Sequence, residues 1–587
     1  MQRKRYRNVL LASLLTLTVS GIAQALPVWT VENSEIMKDG ELFRIKGGSW
    51  FGLEGRHEAP NDADNPNGAP MELYMGNVWW SPSKRTYAST AKDIADIGFN
   101  CIRMPVAPQT FDDSDPQGTD YLKNDTSVRI KGAFSALKAV LKAIDDAGMY
   151  TMLDIHSCSN YVGWRAGRLD SRPPFTDANR GGGYAYTRED CSCAAEGNPS
   201  TVKKERTFPY DKQKWLENLK TLAGLDKELG LKNGTIGIDI FNEPWDYSWE
   251  EWKTMIEEAY QAIHSVNPNI LVFAQGIGGK NGVTDGNADD AEDTPYGDVN
   301  VNWGENLYEA GDNPPDVPVS KLVYSPHCYG PSVCTQDFFA DWEKQPECKG
   351  LVEDAFGDAK CQIVFDDAKK EFMYAAWDEH FGYLRGMGYA LAPGEYGGNM
   401  DWPAKAEKRH QDRYSYLTNK KSDEEWQNIF VDYMIDRGIV NSFYWSINPE
   451  SADTYGVFAT PYDPINNTGG WGTWNGTDKR KVDLLKRLWA APVKTVGVTV
   501  PYKTVSNSKN AFNCRVTSNG LVSYTLPTTG NVTAKLYNID GRLHGEIMNK
   551  NQNAGSHSFN FTAPSGSYVL VLKAGNYSSK QVVSIAK

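Results

Sequence analysis

Eight short apolar runs, most followed by a stretch of helical periodicity, set the pattern between residues 43 and 489. They occupy 43–51, 99–106, 150–156, 235–243, 270–277, 322–327, 389–395 and 441–447. Each is too brief for a helix, which is how a strand buried on both faces of a parallel sheet reads. Amphipathic stretches lie between them, among them 84–97, 133–147, 212–229 and 423–437, with a last one at 479–489. The clearest follows Trp245. Trp249, Trp252, Met255, Ile256, Ala259 and Ile263 share one helical face, and Ser248 with Glu251 makes a capping box. Alternating strands and helices predict parallel β/α units. Eight of them predict an α/β fold, a (β/α)8 TIM barrel with long loop insertions. The fifth unit is weak, because 278–320 shows no clear helix. An open doubly wound sheet is the other arrangement, but no Gly-rich phosphate loop follows the first run.

The insertions fall after runs three, five and six. Residues 157–211 are rich in Arg, Gly and Cys, 278–320 contain the acidic run 285–293, and 331–366 hold three Cys. On a barrel such loops form the rim of the active site. The acidic run lacks the spacing of an EF-hand loop and reads as a solvated loop. The barrel pattern predicts a first domain over 26–492. Residues 493–519 lack periodicity and read as a linker. From Gly520 the texture becomes strict alternation, with Val532, Ala534 and Leu536, then Phe559 and Phe561, then Tyr568, Leu570 and Leu572 on one face. This predicts a small all-β sandwich over 520–587 with no catalytic cluster of its own.

The N-terminus changes the picture. Four basic residues precede an apolar run over 9–22 and the small-x-small site Ala23-Gln24-Ala25. That is the pattern of a cleaved signal peptide over 1–25, which predicts a secreted or cell-surface protein with no membrane span. Losing the leader takes the formal net charge from −13 to −17. So acidic a chain is a poor partner for nucleic acid and is compatible with a neutral polysaccharide. Of 9 Cys, Cys348 and Cys361 bracket a loop and are candidates to pair, whereas Cys101 and Cys158 suit buried thiols. No CxxC or His-pair spacing suggests zinc. The 18 Trp are many. Trp79, Trp80, Trp245, Trp303, Trp402, Trp471 and Trp474 sit in polar loop contexts, as platforms for sugar rings do.

The chemistry gathers at the ends of the runs. Arg103 ends the second, His156 the third and Asn242-Glu243 the fourth. His327 and Tyr329 follow the sixth, Glu395 ends the seventh, and Trp445 lies in the eighth. A lone His would read as a satisfied core residue. Polar groups at so many strand ends point to the mouth of a barrel. Glu243 and Glu395 would then face each other, the requirement for glycoside hydrolysis by two carboxylates.

At these residues the chain resembles glycoside hydrolase family 5. The matching stretches are Gly48-Ser49-Trp50-Phe51-Gly52, Asn100-Cys101-Ile102-Arg103, Ile240-Phe241-Asn242-Glu243-Pro244 and Asn302-Trp303-Gly304-Glu305-Asn306-Leu307. Three more are Leu322-Val323-Tyr324-Ser325-Pro326-His327-Cys328-Tyr329, Pro393-Gly394-Glu395-Tyr396-Gly397 and Trp445-Ser446-Ile447-Asn448-Pro449-Glu450-Ser451. The likeness is greatest to bacterial endo-β-1,4-glucanases, with mannan, xyloglucan or mixed-linkage glucan as other substrates within the family. It implies Glu243 as acid/base and Glu395 as nucleophile. It also implies Asn242 on the sugar 2-hydroxyl, Arg103 and Tyr329 beside the nucleophile, and His156 and His327 on sugar hydroxyls. Trp445 and Trp303 become stacking platforms and Trp50 a supporting residue. No cofactor or metal is implied, and the implied partner is a β-glucan met by a monomer. His156 is followed by Ser157-Cys158 where relatives often carry Arg-Pro, which leaves specificity on that side open. The tail resembles the C-terminal sorting domains of type IX secretion through Asn538-Ile539-Asp540-Gly541-Arg542 and Gly566-Ser567-Tyr568-Val569-Leu570. That resemblance implies secretion machinery as a partner. A carbohydrate-binding module and a plain spacer are the other readings of the tail.

Overall fold

The computed structural model describes residues 26–52, 85–106, 108–111, 133–156, 212–244, 247–277, 302–333, 339, 362–403, 421–449, 451, 454–461, 474–494, 514–516, 520–526, 528–538, 543–564, 566–574 and 577–585. The leader, loop 157–211, the acidic run 285–293, Cys158, Cys348, Cys361, and Trp79, Trp80, Trp245 and Trp471 lie outside the described residues.

All eight expected strands form. Strand 1 is Lys46–Ser49, strand 2 Cys101–Val106, strand 3 Tyr150–Ile155, strand 4 Thr235–Asp239 and strand 5 Leu271–Ala274. Strand 8 is Ser442–Tyr444. Strands 6 and 7, expected as continuous runs, are each broken in two. Strand 6 is Leu322–Tyr324 and His327–Tyr329, and strand 7 is Ala390–Leu391 and Glu395–Gly397. Pro326 and Pro393 sit in the breaks, where a residue with no N–H cannot continue a ladder.

This break explains how the sheet closes. The lower halves pair with each other and with strand 5, through Val323 with Ala390 and Leu322 with Val272. The upper halves pair through His327 with Glu395, and strand 7 continues to strand 8 through Tyr396 with Tyr444. Strand 8 pairs with strand 1 through Ser442 and Lys46. The ends of the ten-segment parallel sheet are thus halves of the same two strands, and the sheet is an eight-stranded barrel. Ala392 N–H to Tyr324 O at 2.9 Å and Gly394 N–H to Pro326 O at 3.0 Å carry the bonding across the breaks.

Helices follow the strands much as periodicity predicts. They span Tyr87–Ile97, Ala133–Asp146, Lys212–Leu229, Trp249–His264, Asp367–His380, Ser422–Arg437 and Lys479–Trp489. The capping box of Ser248 and Glu251 is present in both directions. Its helix buries Trp249, Trp252, Met255, Ile256, Ala259 and Ile263. Each large apolar side chain so buried contributes about 1.5–3 kcal/mol, which pins the helix beside strand 5. The fifth unit has no helix among its described residues 302–318, as the missing periodicity implies.

A three-stranded antiparallel sheet, Trp29–Glu32, Glu35–Lys38 and Glu41–Leu42, precedes the barrel and was not anticipated. Trp29 is fully buried against Phe43 and Tyr150, and Trp29 N–H bonds Asn269 O at 2.8 Å just before strand 5. The sheet therefore covers the end of the barrel opposite the strand C-termini. The tail forms antiparallel sheets of three and four strands. Val522, Tyr524 and Leu526 of one share a core with Val532, Ala534, Leu536, Leu570 and Leu572 of the other, so the two sheets make a sandwich. One strand, Cys514–Val516, lies within the stretch expected to be linker and pairs with Leu521–Leu526. Cys101 and Cys328 are buried free thiols.

Candidate active site

The predicted residues meet where the strands end. Register places them there: Ser49 stands beside Arg103, Asp154 beside Asp239, and His327 beside Glu395. The Arg103 guanidinium donates to Glu395 Oε1 and, at 2.9 Å, to Asn242 Oδ1. Tyr329 donates its hydroxyl to Glu395 Oε2 at 2.5 Å. Both oxygens of Glu395 are thus held by donors, which orients the carboxylate.

Glu243 follows strand 4. Its carboxyl is the more open of the two, at 17% exposure against 5% for Glu395. His327 Nδ1 lies 3.1 Å from Glu243 Oε1 and 3.6 Å from Glu395 Oε2. Burial, then the charges of Arg103 and His156, push the His327 pKa well below its usual value. The Nδ1 atom thus lies between the two glutamates. An oxygen of Glu243 and one of Glu395 lie within 4.8 Å of each other. These three side chains are also the one set among the described residues that could hold a metal ion.

Beneath the mouth lies a buried charge cluster that strand-end reasoning missed. Arg103 also meets Asp154 at 3.0 Å and Asp239 at 3.7 Å, all fully buried. Asp154 Oδ2 is in turn 2.8 Å from His156 Nδ1. Burial alone would lower the Arg103 pKa, but Asp154, Glu395 and Asp239 outweigh it and raise it. Burial pushes the Asp239 carboxyl well above the usual range, the Asp154 charge adds to this, and Arg103 opposes it. Arg103 is thus the one guanidinium these three buried carboxylates share. A signal was present in the sequence: an acid inside a buried apolar run needs a partner, and both runs carry one. Gln275, directly after strand 5, was missed too. Its side chain bonds Asp239 and the backbone of Glu243.

The aromatic expectations divide. Trp445 is buried and lies parallel to His156 at 5.7 Å and to Phe51 at 5.3 Å. Trp303 is 37% exposed in the Asn302–Asn306 turn, whose Gly304 carbonyl accepts from His327 N–H at 3.2 Å. It stands on the Glu243 side with a face open to solvent. Trp50, directly after strand 1, is fully buried in the barrel core. Trp402 is likewise buried rather than a loop platform, and Trp474 is stacked on Phe458 at 4.9 Å.

Comparison with known proteins places the chain among cellulases. The cellulase (glycosyl hydrolase family 5) model matches residues 64–451. Endoglucanase C of Cellvibrio japonicus is 51% identical over 462 residues, 77% of this chain and 60% of that protein. The chain thus spans 60% of the length of that relative. The major extracellular endoglucanase of Xanthomonas campestris is 25% identical over 505 residues, 84% of this chain and 77% of that protein. The solved catalytic domain of the Xanthomonas enzyme superposes with a TM-score of 0.50 at 23% identity, over 78% of this chain and 99% of that one. A hyperthermostable endocellulase gives 0.51 at 24%, over 79% and 98%. These structures support the barrel. With the family model matched over well over half its length, on a barrel that carries paired glutamates after strand 4 and in strand 7, the chain belongs to glycosyl hydrolase family 5.

Proposed function

We propose that the protein is a retaining endo-β-1,4-glucanase. The observation that carries the reading is the pair of carboxylates, Glu243 and Glu395, with oxygens within 4.8 Å. Retaining glycosidases hold their two carboxyl groups about 5–5.5 Å apart, and inverting ones about 6.5–9.5 Å, to admit a water. The environments divide the roles. Glu395, held by Arg103 and Tyr329, is the ionised nucleophile that attacks the anomeric carbon. Glu243, more open and beside a neutral His327, gives its proton to the leaving oxygen. It then takes a proton from the water that releases the sugar from Glu395. Asn242, fixed by Arg103, meets the 2-hydroxyl. Trp303, with His327, serves the leaving-group side, and His156 with Trp445 the other.

The 51% identity to Endoglucanase C supports β-1,4-glucan over other backbones. The wider reading follows from the sequence: a leader over 1–25, export, a monomeric catalytic domain over 26–492, and a tail that engages secretion machinery of the type IX kind. The extracellular relative in Xanthomonas supports export. The test is a panel of β-1,4-glucan, mannan, xyloglucan and mixed-linkage glucan. A fast fall in carboxymethylcellulose viscosity with slow release of reducing ends is expected. Cleavage of mannan with no cleavage of any β-1,4-glucan would reassign the substrate.

A further inference from the structure

We propose that Gln275 is a positioning residue for the acid/base glutamate, and that its side-chain amide holds Glu243 in the turn that aims it at the leaving group. The proposal rests on the reading of Glu243 as acid/base. In an extended strand, successive side chains point to opposite faces. Asn242 and Glu243 are neighbours, yet both reach the barrel mouth, Asn242 toward Arg103 and Glu243 toward His327. The backbone achieves this by leaving the extended region at Glu243, whose φ is +46°. A glutamate rarely adopts that conformation and keeps it only when its surroundings enforce it.

Gln275 is the group that does so. It is fully buried at the end of strand 5. Its Oε1 accepts from Glu243 N–H at 2.7 Å, so the amide grips the strained residue by its backbone. Its Nε2 donates to Asp239 Oδ2 at 2.8 Å and lies 3.4 Å from Asn242 Oδ1. All three contacts agree with one orientation of the amide. The other end of the residue is fixed as well, since Trp252 Nε1–H donates to the Gln275 carbonyl at 2.9 Å. The turn that carries Trp303 closes over the same amide. A Cβ on Gly304 would lie 2.8 Å from Gln275 Oε1, so only glycine lets that turn approach. Gln275 thus ties Glu243 to strand 4, to strand 5 and to the turn on the leaving-group side. Without its acceptor, the Glu243 N–H loses this bond and the backbone relaxes toward the extended form. The carboxyl then swings off the line to the leaving oxygen, while Glu395, Arg103 and Tyr329 stay where they are.

That asymmetry separates positioning from general structural damage. A displaced acid slows only reactions that need its proton. General acid catalysis is worth about 10²–10⁴-fold, and a misplacement of about 1 Å can cost about 100-fold. The experiment compares kcat/KM, which reports the first chemical step, for cellotetraose and for 2,4-dinitrophenyl β-cellobioside, whose leaving group needs no proton. Hydrolysis of both by the wild-type protein tests the underlying reading. Inactivity on both would overturn that reading and this proposal with it. In Q275M, cellotetraose is expected to lose about 100-fold and the dinitrophenyl glycoside under about 3-fold. Q275N, whose shorter amide withdraws from Glu243 while remaining polar, carries the same expectation if Q275M does not fold. Equal losses on both substrates in Q275M or Q275N, or wild-type rates on cellotetraose, would overturn the assignment.

Discussion

Replacing Arg103 with lysine probes the nucleophile's side of the site. The guanidinium contacts Glu395, Asn242 and Asp154 together, the last two at 2.9 and 3.0 Å, from a fully buried position. A lysine keeps the charge but is a point donor on a flexible stem and cannot span a planar fork of three acceptors. At least two of the contacts are lost, and hydrogen bonds to charged groups are worth about 1.5–3 kcal/mol each. The deficit is then about 3–6 kcal/mol, shared between folding and the transition state. If about half falls on the transition state, kcat/KM drops by about 10- to 100-fold or more. The loss is expected on cellotetraose and on 2,4-dinitrophenyl β-cellobioside alike, because an oriented nucleophile is needed whatever the leaving group. This is the opposite signature to that expected for Gln275. Purified R103K should also melt below the wild type by differential scanning calorimetry. Rates within about 3-fold of wild type on both substrates, or a loss confined to cellotetraose, would refute the reasoning.

Other consequences follow from the same geometry. E243A should react normally in its first step with an activated aryl glycoside and stall in the second, and added azide should restore turnover and give a β-glycosyl azide. A failure of azide to accelerate it would remove Glu243 from the acid/base role. Burial lowers the Lys481 pKa from 10.5 to about 7, with Asp478 and Asp423 opposing, so the folded state sheds that proton earlier than the unfolded state. Stability from this group is therefore gained as pH rises from about 7 toward 10.5. The Tm of wild type relative to K481M should increase between pH 7 and 9, and a flat or falling difference would contradict it. Removal of the tail beyond residue 492 should leave activity on soluble glucan nearly unchanged. Loss of most of that activity in a folded 26–492 protein would make the tail part of the catalytic unit.

The barrel was legible because buried parallel strands announce themselves as isolated apolar runs and their helices as 3.6-residue periodicity. Strands 6 and 7 were read as single runs since hydrophobicity passes through Pro326 and Pro393, whereas hydrogen bonding does not. The sheet over 29–42 escaped notice because its strands have four residues or fewer and bury only three positions between them, Trp29, Val31 and Ile36. Within the site, groups at strand ends were legible: Arg103, Asn242, Glu243, His327, Tyr329 and Glu395 all meet. Asp154, Asp239 and Gln275 were not, because their roles depend on which neighbour the register sets beside them. A tryptophan beside a strand end can face the mouth or the core, and only the fold decides which.

The central claim, that Glu395 attacks and Glu243 assists, is tested most directly by trapping. A 2-fluoro β-cellobioside with a good leaving group should inactivate the protein with one covalent adduct per chain, because the fluorine slows the second step more than the first. Peptide mapping by mass spectrometry should place the adduct on Glu395, and the product of unmodified substrate should appear by NMR as the β-anomer first. An adduct on any other residue, or an α-anomer as first product, would contradict the assignment.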